Sequence, residues 1–284
     1  MSFAQRLQRI VDHRAVLWTL VKRDLRIRYA RSALGYLWTL IDPLSMTLVY
    51  WFVFGVIYQI GNNPRQEGRS DHIPFVLFMV SGVLAWNWFS NSVNETARAL
   101  YAERLLVRST NLPRELWVIR VVLSKGIEHL LSLPILIAFM LYFRYVDHAV
   151  ILNWKLVFWL PALVLELVLC IGIGLVMAPV TALVDDFVRI VRIVLRIGFY
   201  FTPIVYSLNY LHQRGNSDPS LKIIARILEF NPLSAVNDLY REGMLVRETP
   251  PYHIWLYGTV ISVAWLILGM WVFRRLEKPI LKEI

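Results

Sequence analysis

The chain has 284 residues, 57% of them hydrophobic and only 18% charged, with eleven Trp, thirteen Tyr and a formal net charge of +10. A soluble domain carries about a quarter charged residues, so this chain lacks the polar surface of a water-soluble globule. Disordered, fibrous and disulfide-stapled classes are excluded too, because the single Cys170 sits in an apolar run with nothing to bridge to within the chain.

In chain order, residues 3 to 11 place Phe3, Leu7, Ile10 and Val11 on one helical face, flanked by Arg6 and Arg9, as in a helix lying in a membrane interface. The stretch Lys22-Arg23-Asp24-Leu25-Arg26-Ile27-Arg28-Tyr29 is denser in cations than an anchor needs. It reads as attraction to anionic lipid or as a basic collar that receives a phosphorylated headgroup. Six membrane spans are expected, at about 41–60, 73–93, 116–143, 155–181, 187–207 and 252–273, each long enough at about 1.5 Å per residue to cross a core of about 30 Å. The first is not expected to be a cleaved signal. It starts late, follows a basic stretch without a small-residue cleavage site, and runs on through Tyr50, Trp51 and Phe54.

Between spans two and three, Asn94 to Arg114 combines alternating charge with apolar Leu100, Leu105, Leu106 and Val107. This pattern suits a helix docking into another protein's groove, or one resting on the bilayer. Glu166 in span four and Arg196 in span five both fall near the midplane. A short turn joins the two spans, so an ion pair between them is expected, with Lys125, Glu128 and His129 of span three joining the network. Arg189, Arg192 and Arg196 share one face. A voltage sensor is disfavoured, since there are only three arginines, they begin beside Asp185 and Asp186, and no pore loop follows; they pack against acids or line a chamber for an anionic group. In the connection from about 208 to 251, Leu221, Ile223, Ile224, Ile227 and Leu228 form an apolar face, and Asn231-Pro232 opens a second short helix. These two helices either dip back toward the outer leaflet or pack on the surface.

Twenty-one of the thirty Lys and Arg fall on the side of both termini, which places the termini in the cytoplasm. No glycine precedes a lysine, so a Walker A loop is absent, and no nucleophile elbow, His-Glu-x-x-His helix or Cys-x-x-Cys pair occurs. His129 lacks a second metal ligand. No enzyme is expected, and energy for any work must come from an ion gradient or another chain. The fold expected is an all-α integral membrane protein of six transmembrane helices, with an N-terminal amphipathic interface helix and two short extracytoplasmic re-entrant helices.

Four stretches carry a family resemblance: Arg26-Ile27-Arg28-Tyr29-Ala30-Arg31-Ser32-Ala33-Leu34-Gly35-Tyr36-Leu37-Trp38 with Pro43; Asn111-Leu112-Pro113-Arg114; Gly172 through Asp186, running on to Thr202-Pro203-Ile204-Val205-Tyr206; and Asn231-Pro232-Leu233 with Tyr240-Arg241. In order across nearly the whole chain, they resemble the transmembrane subunits of type-2 ABC exporters, specifically polysaccharide and teichoic acid exporters of the Wzm, KpsM and TarG kind. The sequence departs from that family at Ala182-Leu183-Val184, where relatives often carry Tyr-Arg before the Asp. The resemblance implies one transmembrane domain over 1–284, with an interface region at 1–40, a six-helix membrane domain at 41–273 and a cytoplasmic tail at 274–284. It implies a homodimer bound to two cytoplasmic ABC ATPase subunits, which carry the ATP and Mg; no cofactor belongs to this chain.

The cargo implied is a lipid-linked polysaccharide of O-antigen, capsule, galactan or teichoic acid type, crossing the plasma or inner membrane of a prokaryote. The resemblance also implies an entrance at Arg26, Arg28, Tyr29 and Arg31, and a sugar-sized channel lined by Tyr50, Phe54, Phe199 and Tyr206. It puts the coupling helix at about 96–112, where Leu100, Glu103, Arg104, Leu105 and Arg108 meet the ATPase, and outer gate helices at about 219–245. Replacing Arg28 or Arg31 by Glu is expected to abolish export and spare membrane insertion. The rival readings are a type-2 ABC permease for a small lipid or drug, and an ion-coupled carrier using Glu128, Glu166 and Arg196.

Overall fold

The computed structural model describes residues 3–30, 32–59, 74–146, 154–242, 244 and 252–283. Helices α1 (Phe3–Asp12) and α2 (Arg14–Tyr29) precede a tight turn at Gly35–Leu37, α3 (Trp38–Tyr50) and its π-helical continuation Trp51–Ile57. Next come α4 (Phe75–Thr96), the short α5 (Ala99–Ala102) and α6 (Arg104–Ser109), and the long α7 (Glu115–Tyr145). A 3₁₀ turn at Trp154–Phe158 leads into α8 (Trp159–Leu183) and then α9 (Asp186–Tyr200). The chain ends with α10 (Leu208–Gly215), α11 (Pro219–Glu229), α12 (Pro232–Glu242) and α13 (Tyr252–Glu283). Among the described residues there is no strand. Gly35 adopts φ +52° in the Leu34-Gly35 turn, a backbone region that a side chain makes costly.

Among the described residues, five stretches are long and apolar enough to cross a membrane: Gly35–Ile57, Phe75–Thr96, Glu115–Tyr145, Trp154–Leu183 and Tyr252–Ile280. The fifth expected span corresponds to α9, whose 15 residues reach about 22 Å as a helix, less than a bilayer core. Helix α4 forms the axis of the bundle. It is buried over most of its length, against α3, α7, α8, α9 and α12. Helices α8 and α13 make the most extensive pairing, because Gly172 and Gly269 let their backbones meet: a Cβ on Gly172 would lie 2.6 Å from the Leu266 amide nitrogen.

The two ends of the bundle are tied by different chemistry. At the basal end, Arg6 of α1 bonds Glu115 at the start of α7 and Glu277 of α13 (2.7 Å), and Arg114 also reaches Glu277 (3.1 Å). Beside this cluster, buried Arg120 pairs with Asp24 (2.8 Å) and Glu103 (3.2 Å), fastening α2 and the α5–α6 junction to α7. At the distal end, Asn231 caps α12 by accepting from the Leu233 amide (3.0 Å), and its side-chain amide donates to the Phe201 carbonyl (3.2 Å). Buried Arg241 lies over the Phe78 ring (3.5 Å to the centroid) and donates to the carbonyls of Pro203 (2.9 Å) and Ile204 (3.1 Å). Lys155 and Glu242 close this end with a 2.7 Å ion pair.

Candidate functional site

An aromatic file runs along α3 and meets α9. Tyr50, Phe54 and Tyr58 recur at four-residue spacing, with neighbouring ring centroids 6.3 and 6.1 Å apart. Phe199 of α9 stacks on Tyr50 at 5.0 Å and takes the Trp86 ring edge-on at 5.7 Å. A recess of about 310 Å³ opens beside these rings, walled also by Met46, Ser90 and Arg196. Three of the four residues expected along a channel, Tyr50, Phe54 and Phe199, are thus contiguous. The fourth, Tyr206, lies past the end of α9, where its hydroxyl donates to the Tyr200 carbonyl (3.1 Å).

A second feature lies on the other flank of α4. A pocket of about 380 Å³ forms between α2, α3, α4 and α7. Helix α4 lines it with Asn87, Asn91 and Glu95, four residues apart, and α7 with Lys125, Glu128 and Ser132 at three- and four-residue intervals. Both periods place side chains on one helical face. Glu95 accepts two bonds from the Arg28 guanidinium (2.8 and 2.6 Å) and one from Lys125 (2.8 Å). Glu128 completes the cycle with Lys125 (2.9 Å) and the Arg28 Nε (3.1 Å). The Glu95 hydrogen bonds hold the Arg28 guanidinium above its ordinary value, and burial together with Glu128 pushes the Tyr29 phenol up. Deeper in the pocket, His129 stacks under Trp88 (5.0 Å between centroids), and its Nε2 lies 2.9 Å from the Tyr240 hydroxyl.

Several expectations need correction. Of the expected entrance residues, Arg28 is bridged to two carboxylates, Arg28 and Arg26 are both exposed, and Arg31 lies outside the described residues. The expected Glu166–Arg196 pair is absent. Glu166 is fully buried in α8, and neither carboxylate oxygen has a hydrogen-bond partner among the described residues. Arg196 is exposed beside Tyr50, because the amphipathic α9 turns its arginines outward. Arg192 is likewise exposed, and Arg189 reaches only Asp186, one turn back on the same helix, at 3.7 Å. Lys125 and Glu128 do belong to a charge network, but with Arg28 and Glu95, and His129 turns to Tyr240 instead.

The expected coupling residues divide in the same way. Leu100 is 1% exposed and packs with Trp117 and Phe273, and Glu103 is held by Arg23 and Arg120. The outward face carries Arg104, lying over the Tyr101 ring at 5.0 Å, with Leu105, which is 78% exposed, and Arg108. The sequence reading missed Glu95, Asn87 and Asn91, whose four-residue polar period inside an apolar span was the available signal.

Among the described residues, five helices are long and apolar enough to cross a membrane, as the membrane-embedded part of a transport system requires. Residues 15–245 match the family described as ABC-2 type transporter, and the chain belongs to it. It is 24% identical over 268 residues, 92% of each chain, to the O-antigen export system permease protein RfbA of Klebsiella pneumoniae. A protein of the same name from Myxococcus xanthus is 26% identical over 275 residues, covering 95% of this chain and 96% of its own. The polysialic acid transport protein KpsM of Escherichia coli is 23% identical over 271 residues, 92% of this chain and 93% of its own.

Proposed function

We propose that the chain is the membrane-spanning subunit of an ATP-driven exporter that carries a lipid-linked polysaccharide out of the cytoplasm across a bacterial inner membrane. The observation that carries this reading is the aromatic file of Tyr50, Phe54 and Phe199 beside the exposed faces of α3 and α9. Flat rings stack on sugar rings without requiring one hydrogen-bond pattern, which suits a polymer that slides. Relatives named for O-antigen, polysialic acid and capsule export, matched over more than nine-tenths of the chain, support the same cargo class.

Two copies complete the conduit in this reading. Val49 of α3, Phe52 of its π-helical continuation, and Ile193 and Val194 of α9 are exposed apolar residues on the helices that carry the file, and a second chain would cover them. Helix α9 acts as the sixth crossing. It starts beside the end of α8, and the turn after it is held by Arg241 next to Phe78, at the opposite end of the bundle. The termini and the α5–α6 segment then face the cytoplasm, as the positive charge bias demands, and α6 meets one of two ABC ATPase subunits that bind ATP and Mg. Helices α11 and α12 border the exit as re-entrant helices.

Depleting the chain in its host tests the reading. Surface polysaccharide is expected to fall while the same polymer accumulates inside the cells, and undiminished surface polymer would overturn it.

A further inference from the structure

The pocket between α2, α3, α4 and α7 lies on the flank of α4 opposite the aromatic file, with Asn87 between it and the recess beside that file. Its two cations, Arg28 and Lys125, face three carboxylates, Asp42, Glu95 and Glu128, so one negative charge is in excess. Both cations are already bonded to Glu95 and Glu128 at 2.6 to 3.1 Å. A phosphate or diphosphate entering here would have to break those bonds and lie against three like charges.

Among the described lining residues, what the pocket leaves uncommitted is polar and includes no cation. The amides of Asn87 and Asn91 and the Asp42 carboxylate make no hydrogen bond among the described residues, and Asp42 and Asn91 are exposed. His129 is 4% exposed, and its Nδ1 has no partner among the described residues. Trp38 offers an indole face, 43% exposed, at the rim. An aromatic platform, two amides and a carboxylate acceptor match an uncharged polyhydroxylated ring, and about 380 Å³ lies within the range of about 300–1,000 Å³ typical of small-molecule sites.

We infer that this pocket is a binding site for a neutral sugar residue of the exported glycan, stacked on Trp38 and hydrogen-bonded by Asn87, Asn91 and Asp42, and that it is not a phosphate site. The inference rests on the polysaccharide reading above. It adds to that reading a place where the chain reads the glycan itself, outside the channel.

Chemical labelling tests this in the full chain with its ATPase, reconstituted in zwitterionic lipid nanodiscs. Cys170 is the only cysteine and is buried, so Thr39→Cys in a Cys170→Ala background provides one thiol on the pocket wall that is not among the proposed sugar ligands. Ser32→Cys gives a second reporter from the turn before α3, and both positions are half-buried at the pocket mouth, so these substitutions leave the core and the proposed ligands intact. The probes are neutral mono- to tetrasaccharides of glucose, galactose, mannose and rhamnose, inorganic pyrophosphate, and added phosphatidylglycerol. At least one saccharide is expected to slow N-ethylmaleimide labelling five-fold or more at either reporter, with no effect of pyrophosphate, and Trp38→Ala should remove that protection. Protection by pyrophosphate or phosphatidylglycerol, protection that survives Trp38→Ala, or no protection by any saccharide would overturn the inference. Polymer export that depends on the chain while no saccharide protects removes the pocket alone; export indifferent to depletion removes the transport reading.

Discussion

Arg241 joins three stretches of chain through one buried guanidinium: α12, the turn after α9, and the start of α4. Gly82 leaves it room, since a Cβ there would lie 2.9 Å from the Arg241 Nη2. Arg241→Ala strands the Pro203 and Ile204 carbonyls and opens a void. It is expected to lower stability by about 3 kcal/mol or more, read as a lower midpoint of thermal unfolding in detergent; an unchanged midpoint would show that the distal turn is held by other contacts. Arg28 follows the same logic. Arg28→Glu would add a third carboxylate beside Glu95 and Glu128, so the chain itself is expected to lose folded yield, contrary to the sequence-based expectation that only export would fail. Arg28→Gln, which keeps a donor and adds no charge, should be milder. Equal membrane yields of both variants with wild type would show that the pairing contributes nothing to folding.

At the scale of elements, much of the bundle is legible in sequence. Hydropathy marks five of the crossings, and Asn231-Pro232 marks the start of α12 because a capping amide and a ring with fixed φ are local signals. The segment at 187–207 is the hardest to read: Ile193, Val194 and Ile197 count as span residues, but the arginine stripe makes α9 amphipathic and the helix stops at Tyr200, short of the expected end. The pocket is half legible. Its polar stripes on α4 and α7 have helical periods, but nothing local says that α2 folds back to bring Arg28 against them. Partner choice among charges is a tertiary fact, which is also why Glu166 and Arg196, close in depth, do not meet. Asn94 to Arg114 reads in sequence as one helix, but the chain breaks it into the end of α4, α5 and α6 and divides its apolar residues between buried Leu100 and Val107 and exposed Leu105 and Leu106. Leu105→Asp on the exposed face is expected to abolish co-purification of an ABC ATPase while changing the stability of the chain by no more than about 0.5 kcal/mol. Leu100→Ala on the buried face should instead cost about 2–5 kcal/mol. The reverse pattern would mean that α6 docks through its other side. Gly269→Leu, which drives a side chain into the Gly172 backbone, is expected to cost about 1–3 kcal/mol and to loosen α8 from α13, visible as faster amide exchange in both helices; unaltered exchange would contradict the close backbone crossing.

For the whole molecule, the sequence holds no Walker A loop; among the described residues Arg6, Arg28, Arg120 and Lys155 hold helices together, while Glu166 is buried without a partner and the arginines of α9 are exposed. A conduit of this kind stays idle without an outside source of energy, which in the ABC-2 reading is ATP turnover on partner subunits that press on α6. The most direct test is to measure nucleotide hydrolysis and polysaccharide movement in proteoliposomes holding the purified chain, first alone and then with its ABC ATPase. The chain alone is expected to hydrolyse no ATP and move no polymer, with or without a proton gradient, and addition of the ATPase and MgATP should start both together. Polymer movement or ATP hydrolysis by the chain without any partner would contradict the account.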